Sequence, residues 1–204
     1  MSTKWIEWAM RMQAIAQAGR AYSENPYDIE RYKQLQELAS EMMAAHSDHE
    51  HEHVRDILEG ETGYATPKLD IRGVVFDGDK VLLVQETIDG RWSLPGGWAD
   101  VYSSPSENVV REIREESGYE AVAKRLLAIY DKSRHGYESI SMLYVYKLFF
   151  LCELTGGEPA TSIETSDVGF FGLEELPPLS TTRITEEQIR RMYELREEEA
   201  TDFD

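Results

Sequence analysis

Residues 94–119, "LPGGWADVYSSPSENVVREIREESGY", decide how this chain is read. Ser104-Pro105-Ser106-Glu107 is a helix start. Ser104 caps, Pro105 takes the first helical position, and Glu107 completes a capping box. Gly118 is placed to end the helix. Residues on a helix advance by about 100° each, so Val109, Val110 and Ile113 share one stripe, which faces a sheet. Glu112, Glu115 and Glu116 form a second stripe. Like charges at such spacing repel and weaken a helix. A solvated acidic face is the ordinary explanation. A tight glycine loop precedes this helix, however, and there a backbone carbonyl can approach closely. Three carboxylates and a carbonyl make a hard oxygen site for Mg²⁺ or Mn²⁺, and a divalent cation offsets the repulsion.

The flanking segments are rich in β pattern. "KLDIRGVVFDGDKVLLVQE" is two strands joined by a hairpin signal, and "DGRW" marks another turn. "RLLAIYDKS", "SMLYVYKLFFLCEL" and "DVGFFGL" read as further strands. "ITEEQIRRMYELREEE" is a final helix with a capping-box pattern at Thr185 and Gln188. Strands thus surround one central helix and lead to another, which predicts an α+β domain, a mixed β-sheet between helices in an α/β/α sandwich.

Before Pro67 the pattern is helical. "TKWIEWAMRMQAIAQAG" places Trp5, Trp8, Met12 and Ile15 on one side and is expected to stop at Gly19. A second helix follows Pro26, with Asp28 as its cap and Tyr32, Leu35, Leu38 and Met42 on one face. Ile6, Ala9, Ala16 and Met43 add apolar surface beyond one narrow seam. Two such helices cannot close a core alone. They are expected to lie on their own chain or, with two tryptophans on one stripe, to form a homodimer. "HSDHEHEHVRD" holds His46, His49, His51 and His53, read as a solvated linker in preference to a metal site. The expected organisation is an N-terminal all-α accessory and dimerisation domain over 1–47, a connection with partial helix over 48–66, and the mixed-sheet domain over 67–204.

The chain has 204 residues and a formal net charge of −18, from 21 Lys+Arg against 39 Asp+Glu. Such a balance argues against general nucleic-acid or anionic-membrane binding. It leaves phosphorylated small molecules open, because bound cations reverse the local field. The lone Cys152 precludes an intrachain disulfide and fits a reducing compartment. The start shows no signal-peptide apolar run, and no stretch nears the ~20 apolar residues of a membrane span. A soluble cytoplasmic protein is the expectation.

"GGWADVYSSPSENVVREIREESGY" resembles the Nudix box: Gly, five residues, Glu, seven residues, then Arg-Glu-aliphatic-any-Glu-Glu-any-Gly-aliphatic. Gly97, Arg111, Glu112, Ile113, Glu115, Glu116 and Gly118 fall in register. "FFGLEELPPLS" and the flanking strands also look like the Nudix domain, and the resemblance covers about residues 67–200. The helical segment resembles the accessory domain of a bacterial subgroup that includes ADP-ribose and CDP-choline pyrophosphatases. Three positions depart from the pattern. Ser103 stands where the first glutamate belongs, Tyr102 where the preceding glycine does, and Tyr119 where the last aliphatic does. In the family that glutamate mostly supports loop and helix, often through the box arginine.

The resemblance implies hydrolysis of a nucleoside diphosphate linked to a group X, with Mg²⁺ or Mn²⁺ as cofactor. Glu112 and Glu116 become the main metal ligands, then Glu115, with the Gly96 or Gly97 carbonyl completing the shell. Arg111 would orient the carboxylates. The general base would be a box glutamate or Glu164. Asp70 and Arg72 lie on one strand face, as substrate contacts or as a buried ion pair. Glu86 is a candidate beside the metals, and Trp98 and Asp100 are candidates for lining the pocket. Lys132, Arg134 and His135 offer positive charge for a diphosphate or ribose phosphate. A nucleotide-binding sensor without catalysis, or an adaptor whose acidic helix is plain surface, are the competing readings.

Overall fold

The computed structural model describes residues 4–47, 49–137 and 141–204. They fall into two compact units: residues up to Pro67 together with a short segment ending at Tyr144, and the rest of the chain from Lys68 on.

The first unit is helical: α1 (Lys4–Tyr22), α2 (Pro26–Ala44) and α3 (His51–Gly60). α1 runs on through Gly19, the expected stop. A Cβ there would meet the Tyr32 ring at 2.4 Å, so this glycine serves close helix packing and not termination. α2 is capped by Asn25, whose side chain accepts the Tyr27 N–H, and not by Asp28, which pairs with Arg31 at 2.6 Å. The buried seam also differs from expectation. Ile6, Ala9 and Ala16 are buried on α1, and Ala39 and Met43 on α2, while Trp8 and Ile15 are 54% and 59% exposed. Small side chains let helix axes approach, and the large ones are left on the outer face. α3 forms within the stretch expected as a connection. It supplies Val54 and Leu58 to this core, where Met142 also packs, and Gln13 donates to the Leu58 carbonyl. The histidines have separate partners: the His46 ring lies tilted against Trp5, the His49 and His53 rings are 5.6 Å apart, and His51 meets Ser40 Oγ at 2.9 Å.

The second unit holds β1 (Lys68–Asp77), β2 (Lys80–Glu86), β3 (Trp92–Ser93), α4 (Pro105–Ser117), β4 (Tyr119–Asp131), β5 (Val145–Gly157), β6 (Thr165–Gly172), α5 (Glu186–Leu195) and β7 (Asp202–Phe203). The strand order is β3-β2-β1-β5-β4-β7, with β6 pairing β2. β1 runs parallel to β5 and β4 parallel to β7; the other pairs are antiparallel. Successive residues of a strand point to opposite faces. Ile71, Val75, Leu148 and Phe150 therefore pack with Val109 and Ile113 of α4. Val74 and Phe149 pack on the other face with Ile189 and Met192 of α5. At Gly73 a Cβ would lie 2.6 Å from Ile113, so the missing side chain sets how closely α4 crosses β1. No helix among the described residues is long and apolar enough to cross a membrane.

Candidate active site

α4 is fixed at both ends by local chemistry. Ser104 and Glu107 form the capping box, and Gly118 ends the helix at φ 76°. Glu116 faces inward on its last turn. The site around it comes from three further places: the Pro95–Gly97 loop, the end of β2, and the turn before β6. Gly96, at φ 136°, passes so close to β1 that a Cβ would sit 2.1 Å from the Ile71 carbonyl. Its N–H donates to Glu116 Oε2 at 2.8 Å. The Gly97 carbonyl accepts the Ile71 N–H at 2.8 Å. β2 shifts register against β6 between Gln85 and Glu86, an irregularity of the kind that re-aims a side chain. Thr165 donates to the Glu116 carbonyl at 2.7 Å, and the Glu164 carbonyl accepts the Thr87 N–H. The turn before β6 is thereby tied both to α4 and to the end of β2.

Three carboxylates share this region under electrostatic strain. Burial pushes Glu116 up to about 8; Arg72 and the Gly96 N–H oppose this, and Glu86 and Glu112 add to it. Burial likewise raises Glu86, against Arg183 and Arg72, with Asp89 and Glu164 adding. Burial raises Glu112 against Arg111, with Glu115 adding. Arg111 gathers the outer carboxylates: its guanidinium lies 2.7 Å from Asp100, 3.0 Å from Glu112 and 4.0 Å from Glu115. Glu115 is half exposed. Among the described residues no three acidic, histidine or cysteine side chains stand gathered in a ligating arrangement. The donor chemistry nevertheless fits a hard cation: carboxylates that burial and one another make costly to ionise, beside a glycine backbone.

A second cluster lies on the α5 face of the sheet. Asp70 and Lys147 are register partners on β1 and β5. Lys147, with no exposed surface, donates to Asp70 Oδ2 at 2.8 Å and to the Arg183 carbonyl at 2.7 Å. Arg72 binds the same carboxylate, Nε to Oδ1 at 2.7 Å, and donates to the Leu94 carbonyl at 3.0 Å. Burial alone would raise Asp70, but the two cations prevail and hold it down to about 2. Burial pushes Lys147 down to about 7, with Asp70 opposing. Asp70 and Arg72 are thus first of all each other's partners, and Arg72 braces the glycine loop. Arg183 reaches the carboxylates at and just beyond the end of β2, with Nε 3.2 Å from Glu86 and Nη1 3.5 Å from Asp89.

The remaining candidates separate. Trp98 is half exposed and bridges to Asp70 through the backbone. His135 pairs with Asp204 at 2.9 Å and stacks on Tyr130. Both rings line a cavity of about 740 Å³ beside β7 that includes none of the α4 carboxylates. Lys132 faces Asp70, Arg72 and Arg183. Sequence reasoning missed Lys147 and Arg183. A lone lysine inside "VYKLFFLCEL" was the available signal for the first; nothing local marks the second.

The NUDIX domain profile matches residues 66–193. The chain belongs to the Nudix family. It is a Nudix hydrolase, and residues 3–58 match a second profile, described as a UDP-X-like, N-terminal oligomerisation domain. YjhB of Bacillus subtilis, named as a candidate ADP-ribose pyrophosphatase, is 47% identical over 95% of this chain and 93% of its own length. The crystal structure of a UDP-X diphosphatase superposes with TM-score 0.65 at 35% identity, covering 99% of this chain and 98% of that one. That of an ADP-ribose pyrophosphatase from Streptococcus suis gives TM-score 0.62 at 47% identity, over 68% of this chain and 100% of the other. The Nudix hydrolase thus has full-length relatives with named nucleotide substrates.

Proposed function

We propose that this Nudix hydrolase is a divalent-metal-dependent pyrophosphohydrolase of nucleoside diphosphates linked to X, releasing a nucleoside monophosphate and phospho-X. The observation that carries the reading is the part-buried pair Glu112 and Glu116 on one face of α4, with Glu86 at the end of β2. Burial raises the pKa of all three, Glu86 and Glu112 add to the rise at Glu116, and the Gly96 N–H donates to Glu116. Glu112, Glu116 and Glu115 would hold Mg²⁺ or Mn²⁺, with Glu86 and the glycine carbonyls as further oxygen donors. When bound, the metal would neutralise phosphate charge and lower the pKa of water.

The chain's own residues do the rest. Arg111 holds Glu112 and Glu115 in place through its guanidinium. Arg72 anchors the glycine loop at Leu94 and lessens the cost of ionising Glu86 and Glu116, and Arg183 does the same for Glu86. A water oxygen bonds to one phosphorus while the bond from that phosphorus to the bridging oxygen breaks. The bridging oxygen leaves on the other phosphate. The water's proton passes to a carboxylate of this set, for which the exposed Glu164 or a box glutamate is the acceptor.

For X, the relatives support ADP-ribose. UDP-linked compounds are the second reading, favoured by the UDP-X diphosphatase's match along nearly the whole chain. CDP-choline remains a member of the test panel. We also propose a homodimer through α1 and α2, supported by the exposed Trp8 and Ile15 and by the oligomerisation profile over 3–58.

The test is a panel of ADP-ribose, UDP-sugars, CDP-choline and nucleoside triphosphates with Mg²⁺, products identified by mass. Nucleoside monophosphate plus phospho-X is expected, and Glu116→Gln should lower kcat at least about a hundredfold. Turnover of triphosphates alone would overturn the substrate class. Binding of ADP-ribose with no cleavage would favour a sensor. Near-normal turnover in a folded Glu116→Gln variant would remove Glu116 from the machinery.

A further inference from the structure

Four cations gather around the Asp70 cluster on the α5 face of the sheet: Arg72, Lys132, Lys147 and Arg183. Three are paired. Arg72 and Lys147 share Asp70, and Arg183 holds Glu86 and Asp89. Lys132 is the exception. Among the described residues no carboxylate makes an ion pair with its ammonium, which lies 5.2 Å from the Tyr137 ring centroid. In a chain with net charge −18, a part-buried cation with no ion-pair partner among the described residues is out of keeping with its surroundings. Burial depresses Lys132, opposed by Asp70, while Arg72 and Arg183 add to the depression. Among the described residues the acid that offsets it is Asp70, already shared by Arg72 and Lys147, and three other cations stand close by.

The same segment carries Arg134 and His135, and both are accounted for. Arg134 sits 3.5 Å from Asp131, and His135 is held by Asp204. Tyr137 is itself fixed, its hydroxyl donating to Gln188 Oε1 at 2.7 Å. Its ring also lies 5.5 Å from Lys147 Nζ. A ring face steadies an ammonium without using its N–H donors, so three donors stay available for an anion. Lys147 donates to the Arg183 carbonyl, and the Arg183 guanidinium pairs with Glu86 at 3.2 Å. The Lys132–Tyr137–Lys147 group is thereby linked to the candidate site at Glu86.

We propose that Lys132 is a direct anion contact for the substrate diphosphate, binding the phosphate oxygens turned away from the α4 carboxylates. This rests on the reading of the reaction given above. A diphosphate needs partners on two sides, because an acidic cradle with metals serves only one. Lys132 supplies the other, and Tyr137 is the positioning residue that holds it there. Lys132 thereby differs from Arg134 and His135, which are held by the chain's own acids Asp131 and Asp204.

The experiment compares wild type with Lys132→Met, which keeps length and apolar volume over the Tyr137 ring, and Lys132→Arg, which keeps the charge. ADP-ribose and a UDP-sugar are the substrates, at saturating Mg²⁺. Lys132→Met should raise KM roughly ten- to a hundredfold, the loss expected for a charge-assisted hydrogen bond, with a much smaller change in kcat. Lys132→Arg should recover a good part of it. KM of the wild type should rise with KCl more steeply than that of Lys132→Met. Should Lys132→Met lose its thermal transition, Lys132→Gln is read in the same way. An unchanged KM, or a loss confined to kcat, overturns the inference and leaves the proposed reaction standing. If the wild type cleaves no nucleoside diphosphate-linked compound, the reaction and this inference fall together.

Discussion

Glu116 makes metal-free stability depend on pH in a way that can be calculated. Its carboxyl is pushed from an ordinary 4.5 to about 8 in the folded chain, chiefly by burial. The folded state therefore keeps a proton between those values that the unfolded state has released. For a carboxyl whose folded pKa is raised, that contribution is intact below the ordinary pKa and is lost as pH climbs towards the folded one. One proton gives a slope of at most about 1.4 kcal/mol per pH unit. From pH 5 to pH 7 the loss is roughly 2–3 kcal/mol, or on the order of 5–10 °C in Tm for a protein of this size. Glu116→Gln isolates the effect: the amide keeps an oxygen for the Gly96 N–H and has no proton to lose. In EDTA, differential scanning fluorimetry should show wild type falling away from Glu116→Gln as pH rises through this window. Millimolar Mg²⁺ should flatten the wild-type curve, because a cation replaces the proton, and should do little for the variant. Parallel curves for the two proteins in EDTA would refute the buried, protonated Glu116.

How much of this was legible in the sequence depended on range. α4 could be bounded to the residue because its signals are local: Ser104, Pro105 and Glu107 at one end and Gly118 at the other. The carboxylates were legible for the same reason, since Glu112 and Glu116 ride on one helix. The cationic cluster was not. Asp70 and Lys147 are 77 residues apart and meet only because β1 and β5 pair in parallel, a register that neither strand specifies alone. Glu86 was legible as a candidate, but its partner Arg183 lies in a loop without periodicity. In the helical unit the seam was misjudged because apolar weight was counted, and Trp8 outweighs Ala9. Packing distance decided otherwise: Ala9 and Ala16 are buried, Gly19 admits Tyr32, and the tryptophan is left for another surface. Ser103 was a break in the motif that spacing could not repair. Three residues earlier the chain carries another carboxylate, Asp100, 2.7 Å from Arg111. Asn108 clamps Asp100 at both its N–H and its carbonyl, each at 3.1 Å, and so holds that carboxylate against Arg111.

Two further outcomes are expected. Trp8→Glu with Ile15→Glu should convert the proposed dimer to a species of 23.4 kDa by light scattering, with helix content retained; a wild-type mass already at that value, unchanged across concentration, would remove the dimer. Asp100→Asn should leave Tm nearly unchanged, because an exposed ion pair contributes less than about 1 kcal/mol, yet raise the Mg²⁺ concentration for half-maximal activity several-fold, because Arg111 then lacks the partner that steadies it beside Glu112. Adding Ser103→Glu to that variant returns a carboxylate to the arginine's neighbourhood and should recover most of the loss. If the double variant is no better than Asp100→Asn, Asp100 is not standing in for the family glutamate, and its carboxylate acts on the substrate or on the loop alone.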